Sequence, residues 1–466
     1  MRGKPILALV FVAMLAVVLT IPLRGTSDGG SQKSKRARSE DKPTPHETKT
    51  PEEKVTPSAE PTEEPTEEPV DNARLTGKYP KSCLEAAPAP EDSGLLAIDQ
   101  GAGIEIGDIA GGDPVTVDDE SPFRWSPSGQ YLMAGSGTVY DASGNEVASL
   151  FEDGGSFSWG WSPISDCLVY ASEEGGVSVF VPGSRPKRSL HEGLFSGFSF
   201  SPSGGDLAFV EDDPENQEAH IWVTSLSTGK GRRLTTLEPS LDEEVVLAGW
   251  TPDATQVLFW NGSSEALLET GGSLFAVSAG GNVQSLASVL AYRDFVTPCG
   301  DDLLAVVGGG ARNKSNSKRL ARLQVGSPPE YLTPPDAHDV SPSCSPDGDL
   351  VAVARSAGAS GKRPGRLAIL GLDGTVQFSS AASGFGDAYP LWGPGSAGVL
   401  FVRQPSSGED DPELWRISQT SPAQSTGIAL RSVGREPGLL RDSWGQWIDW
   451  SADLPSGVSV MSPAES

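Results

Sequence analysis

Sulfur and imidazole are scarce in this chain: its 466 residues hold four cysteines, four methionines and four histidines. No Cys-x-x-Cys spacing occurs among the cysteines, so a structural zinc site is not expected. No Gly-x-Ser-x-Gly elbow lies within residues 79–466, and no hydrolase domain is expected to be appended to the repeats described below. Long stretches rich in Ala, Glu, Lys and Leu are missing too, which argues against a helical bundle. Positive charge is in short supply: 35 Lys and Arg face 62 Asp and Glu, a formal net charge of −27. A surface that negative repels phosphate backbones, so nucleic acid is excluded as an expected partner.

One long apolar run is present. Pro5 to Leu23 carries no charge and is bounded by Arg2, Lys4 and Arg24. At helical rise it spans about 28 Å, close to the roughly 30 Å of a hydrocarbon core. No small-x-small cleavage site and no lipid-accepting cysteine follows it. The expectation is an uncleaved signal anchor over 5–23 behind a cytoplasmic tail of residues 1–4. The cluster Lys33, Lys35, Arg36 and Arg38 lies just beyond and, by the positive-inside rule, favours the opposite orientation. The short tail and the cysteines favour a body outside the cytoplasm, and that is the orientation expected. Residues 24–78 are poor in apolar side chains, with Glu60-Pro-Thr-Glu-Glu-Pro-Thr-Glu-Glu-Pro69 at their centre. Such composition cannot bury a core and reads as a disordered stalk.

From Phe123 onward a single pattern recurs. It runs Phe123-Arg-Trp125-Ser-Pro127-Ser-Gly129, Trp159-Gly-Trp161-Ser-Pro163, Phe198-Ser-Phe200-Ser-Pro202-Ser-Gly204 and Gly249-Trp250-Thr-Pro252-Asp253. Phe295-Val-Thr-Pro298-Cys-Gly300, Pro342-Ser-Cys344-Ser-Pro346-Asp-Gly348, Leu391-Trp392-Gly-Pro394-Gly395 and a degenerate Trp447-Ile-Asp-Trp450-Ser451 continue it. Each copy has the same logic. An apolar alternation ending in an aromatic makes a short strand. Ser-Pro-Asp-Gly then suits a type I turn, and proline ends the ladder. An apolar strand follows each turn, such as Leu207-Ala-Phe-Val210 or Val399-Leu-Phe-Val402. Third and fourth strands follow in turn, as in His220-Ile-Trp-Val223 and Arg233-Leu-Thr235. Four strands per period of about 36 to 50 residues is the signature of a propeller.

These copies resemble the WD40-like repeats of TolB-type propellers, over nearly all of residues 90–461. The resemblance implies an all-β propeller of four-stranded blades across 79–466. Leu95-Leu-Ala-Ile98, Ile104-Glu-Ile-Gly-Asp-Ile109 and Pro114-Val-Thr-Val117 read as a blade lacking its first strand, which Trp447–Trp450 can supply. That makes eight blades closed by the two chain ends; seven with an irregular end, leaving Val458-Ser-Val460 over, is the alternative.

In such a ring Cys299 falls at the turn of one blade and Cys344 on the inner strand of the next, making them the first candidate disulfide. Cys83 and Cys167 would form the second, with free buried thiols as the alternative for either pair. Bridges would agree with an oxidising compartment. His191 and His338 fall between blades, where either could face the axial channel, and His220 reads as an edge or loop residue. Arg312 and Lys314, beside Gly308-Gly-Gly310, form the one basic patch of an acidic body and could dock an anionic partner. The acidic runs Asp118–Glu120, Glu211–Asp213 and Glu409–Asp411 lack the spacing of a calcium loop and read as solvated surface. No catalytic residues, cofactor or metal are expected. The function expected is an extracytoplasmic, membrane-tethered scaffold for an envelope protein or cell-wall polymer, on a single-pass anchor in the cell membrane. A channel-centred polysaccharide lyase or hydrolase, and a small-ligand sensor, are the alternatives.

Overall fold

The computed structural model describes residues 78–88, 94–109, 111–151, 157–172, 176–184, 188–191, 193–240, 242–308, 310, 318–356, 365–380, 384–393, 396, 398–405, 410–430, 448–450 and 460–461. All lie in one compact body, Glu67–Ser466. The anchor expected over 5–23 and, but for its last residue, the stalk expected over 24–78 fall outside them, as do Trp447, Arg312 and Lys314. Among the described residues no helix is long and apolar enough to cross a membrane.

The described residues are nearly all β, in antiparallel sheets that resolve into four-stranded modules. Module one is composite. Its leading strand, Ile448–Trp450, comes from the far end of the chain and pairs with Leu95–Asp99, followed by Ile104–Asp108 and Val115–Val117. Leading strands Arg124–Trp125, Phe157–Trp161, Phe195–Phe200 and Glu244–Trp250 open modules two to five. Val296–Cys299, His338–Cys344 and Phe385–Trp392 open modules six to eight. Modules five and six join into one sheet through a single pairing, Val289 with Val307. The segment around Val458–Val460 is not left over: Val460 and Met461 pair with Trp159 and Ser158, adding a fifth strand to module three.

The signature turns explain themselves locally. In copy after copy the amide at the glycine position donates to the carbonyl of the Ser or Thr, as Gly129 to Ser126 and Gly348 to Ser345, at 2.8 and 2.9 Å. That amide belongs to a residue at positive φ, which glycine accepts without strain. Two copies break the rule: Ala254 and Ser396 hold the same slot at φ 57° and 59°. Ala254→Gly should therefore raise stability by about 1 kcal/mol, read as a higher urea midpoint. The turn carboxylates Asp253 and Asp347 accept hydrogen bonds of 2.6 Å from Thr251 and Ser345. These bonds hold both carboxyls below their ordinary range. A depressed folded-state pKa contributes stability that is present above the unfolded pKa and lost as pH falls through the folded one. The melting temperature should drop below about pH 4, and less steeply in Asp253→Asn/Asp347→Asn.

The modules meet leading strand to leading strand. Trp161 Nε1 donates to the Arg124 carbonyl at 3.0 Å, Trp250 Nε1 to Ser199 at 3.2 Å and Trp392 Nε1 to Ser343 at 2.7 Å. In each case the signature aromatic of one module binds the residue preceding that position in the module before. At the composite module, Asp449 accepts from Arg124 and from the Trp125 amide, at 2.8 and 2.7 Å. Trp450 packs with Leu391 and Leu400 of module eight. Successive four-stranded sheets wedged together along their first strands make a β-propeller. The core lies between sheets, in clusters shared by neighbours, such as Ile369 of module seven with Trp392 and Phe401 of module eight.

Candidate functional site

Each module has two ends. One carries the signature turns; the other carries the start of the leading strand and the hairpin between the second and third strands. At the second end, modules seven and eight repeat one device. Asp339 and Arg355 stand directly opposite each other, as do Asp387 and Arg403. Arg355 grips Asp339 through two bonds of 2.6 and 3.1 Å, and Arg403 grips Asp387 at 2.7 and 2.8 Å. Ser380 Oγ also donates to Asp387. Three aromatic rings surround the Arg403 guanidinium: Trp415, Phe401 and Phe385, at 4.3, 5.2 and 5.6 Å. Both leading strands bulge two residues after the aspartate, where Ser341 and Tyr389 sit at positive φ before Pro342 and Pro390. The sequence carried this signal, an Asp five residues before the signature position and an Arg sixteen after that Asp, and the reading above missed it.

The histidines need correcting. His338 is not in a connection: it opens the leading strand of module seven, fully buried, in a parallel bridge with Lys318. His191 ends the outer strand of module three, where its ring packs 5.3 Å from Phe195 and 5.6 Å from Phe209. The structure thus holds the two apart on different modules and strand positions. His220 is no edge or loop residue: it lies buried within the third strand of module four, its Nδ1 3.1 Å from Thr236 Oγ1. Arg312 and Lys314 lie outside the described residues.

All four cysteines are bridged. Cys299 joins Cys344 across modules six and seven, occupying a junction where other modules use a tryptophan. Cys83 joins Cys167, and the same short segment is held by Ala87 N to Ile164 O at 2.6 Å and Ser165 Oγ to Cys83 O at 2.9 Å. Residues 79–87 are thereby fastened to the turn end of module three.

A cleft of about 370 Å³ opens at the turn end between modules four and five. Asp206, Lys230 and Arg232 line it on one side, and Trp250, Thr255 and Val277 on the other. Burial pushes the Asp206 carboxyl above its ordinary pKa, with the Arg232 guanidinium working against that rise. Two cations beside a carboxyl that burial disfavours as an anion make this a place where an acidic group could be held.

No family model matches the chain, and no curated protein does. Among solved structures, it is similar to TolB from Acinetobacter baumannii at 12% identity, covering 76% of this chain and 82% of that one, with a TM-score of 0.31. An oligogalacturonate lyase from Vibrio parahaemolyticus aligns at 14% identity over 76% and 94%, with a TM-score of 0.41. Dipeptidyl peptidase 4 from Porphyromonas gingivalis aligns at 14% over 74% of this chain and 53% of its own length, with a TM-score of 0.42. The propeller fold itself rests on the sheets and their junctions.

Proposed function

We propose that the chain is a membrane-tethered, extracytoplasmic propeller of eight blades, closed by its two ends, that acts as a binding scaffold for an envelope protein or cell-wall polymer. One observation carries this reading. The buried carboxylates of the leading strands, Asp339, Asp387 and Asp449, are each closed on an arginine of the framework. Carboxylates tied to the framework this way rigidify a body and hold its surface in one shape. The two disulfides extend the same rigidity. Crosslinking full-length protein in native membranes, followed by affinity purification and mass spectrometry, tests the proposal. Crosslinks from one partner concentrated on one end of the blades support it; crosslinks scattered over both ends and the stalk refute it.

A second reading draws on the cleft between modules four and five, whose volume falls in the range of small-molecule sites. It predicts a saturable thermal shift with small carboxylates that disappears in Arg232→Ala. A scaffold without a ligand in the cleft shows no such shift.

A further inference from the structure

We propose that Asp213, Glu218 and His220 form a binding site for a single divalent transition-metal ion of the zinc class. The three residues are gathered by strand register. Asp213 ends the second strand of module four and Glu218 begins the third, and the two are paired directly across the hairpin. Directly opposed residues project from the same face of a sheet, and so does a residue two positions further along. His220 is that residue. The donor atoms of all three side chains lie within 4.8 Å of one another. Nε2 of His220 is 3.6 Å from the Glu218 carboxylate, in contact but beyond hydrogen-bond length.

Two of the three members are anchored by their neighbours. The Asp213 carboxylate accepts from the Glu215 amide, the Asn216 amide and the Asn216 side chain, at 3.1, 3.1 and 2.8 Å. His220 is 7% exposed, and Thr236, its partner across the ladder to the outer strand, contacts its Nδ1 at 3.1 Å. Where Nδ1 carries the proton and donates to Thr236 Oγ1, the Nε2 lone pair is left on the side of the Glu218 carboxylate, available to an ion. A ligating histidine anchored through its other nitrogen is the usual way a metal site fixes ring and tautomer.

The donor set selects the ion. One imidazole with two carboxylates suits zinc-like cations, whereas calcium and magnesium prefer oxygen alone. Zinc bonds of about 2.0–2.2 Å put ligand atoms roughly 3.4 Å apart, so closure needs the half-buried carboxylates to move inward by about 1 Å. Glu211 and Asp212 precede Asp213 on the same strand, and Glu211 stands directly opposite His220, so the local field favours a cation. Three protein ligands leave at least one position for water at the hairpin end of the module.

Full-length protein freed of metal by chelation and dialysis should be titrated with Co²⁺ and Zn²⁺. Visible cobalt bands saturating at one equivalent, displaced by Zn²⁺ and unaffected by excess Ca²⁺ or Mg²⁺, are expected. Glu218→Gln, on a half-buried side chain that need not disturb folding, should weaken cobalt affinity at least about tenfold, and Thr236→Val by about tenfold through loss of ring orientation. His220→Gln should abolish the bands, while His191→Gln leaves them unchanged. Bands that survive both Glu218→Gln and His220→Gln, or that follow His191 instead, would overturn the proposal.

Discussion

Asp387→Ala should destabilise the protein by about 3–5 kcal/mol, with a large drop in urea midpoint. Asp387 and Arg403 are both almost wholly buried, with side chains 2% and 4% exposed. Removing the carboxylate leaves a buried guanidinium facing aromatic rings with its ion-pair partner gone, and an unpaired buried charge is among the most costly defects a core can hold. The rings of Trp415, Phe401 and Phe385 soften this only partly, since a cation–π contact contributes about 0.5–2 kcal/mol. Arg403→Met should cost a similar amount, because the Asp387 carboxylate would keep only the Ser380 hydroxyl as a partner. The double variant Asp387→Leu/Arg403→Met is the discriminating measurement. Replacing a whole buried pair by apolar side chains of similar volume is often nearly neutral. The double variant should therefore be more stable than either single one. Equal loss in all three would mean that the leading-strand bulge, rather than the charge pair, needs Asp387.

Cys299→Ser with Cys344→Ser is the second large perturbation. The bridge closes a loop of sequence separation 45, for which chain entropy gives about 4 kcal/mol as an upper figure. Measured values usually fall near 2–4 kcal/mol. The position sharpens the expectation. Where other junctions keep a tryptophan–carbonyl hydrogen bond, contributing about 1 kcal/mol, modules six and seven have the disulfide in its place. Serine at both sites leaves that seam with neither device. The loss should concentrate there, seen as faster amide exchange in Val296–Cys299 and His338–Cys344 than in the leading strands of modules two and three. A uniform change across all modules would show that the ring loosens as a whole.

Much of this architecture is legible in the residues. Ser-Pro turns and the apolar strands after them are local features, and local features carry their own conformational signal. Even the closing strand around Trp450 could be read, because module one visibly lacks a first strand. What could not be read depends on register or on tolerance. The hairpin that sets Glu218 opposite Asp213 fixes which side chains share a face, and a shift of one residue would separate them. His220 looked peripheral because the depth of a third strand has no local mark. Ala254 and Ser396 stand in a left-handed slot that propensity assigns to glycine, and only the surrounding turn holds them there. The Asp387–Arg403 pair was written as a spacing, yet its burial follows from the bulge at Tyr389.

The Cys83–Cys167 bridge also decides where a mechanical load would enter the fold. Tension on the polypeptide before residue 78 reaches the propeller through Cys83 and passes covalently to Cys167 at the turn end of module three. The intervening chain, including Leu95–Asp99, is bypassed. That strand meets the far end of the chain by three pairings only, Leu96 with Trp450, Ala97 with Asp449 and Ile98 with Ile448. A pull on the chain before residue 78 therefore strains a sulfur–sulfur bond and a packed module, and the short ladder between Leu96–Ile98 and Ile448–Trp450 stays slack.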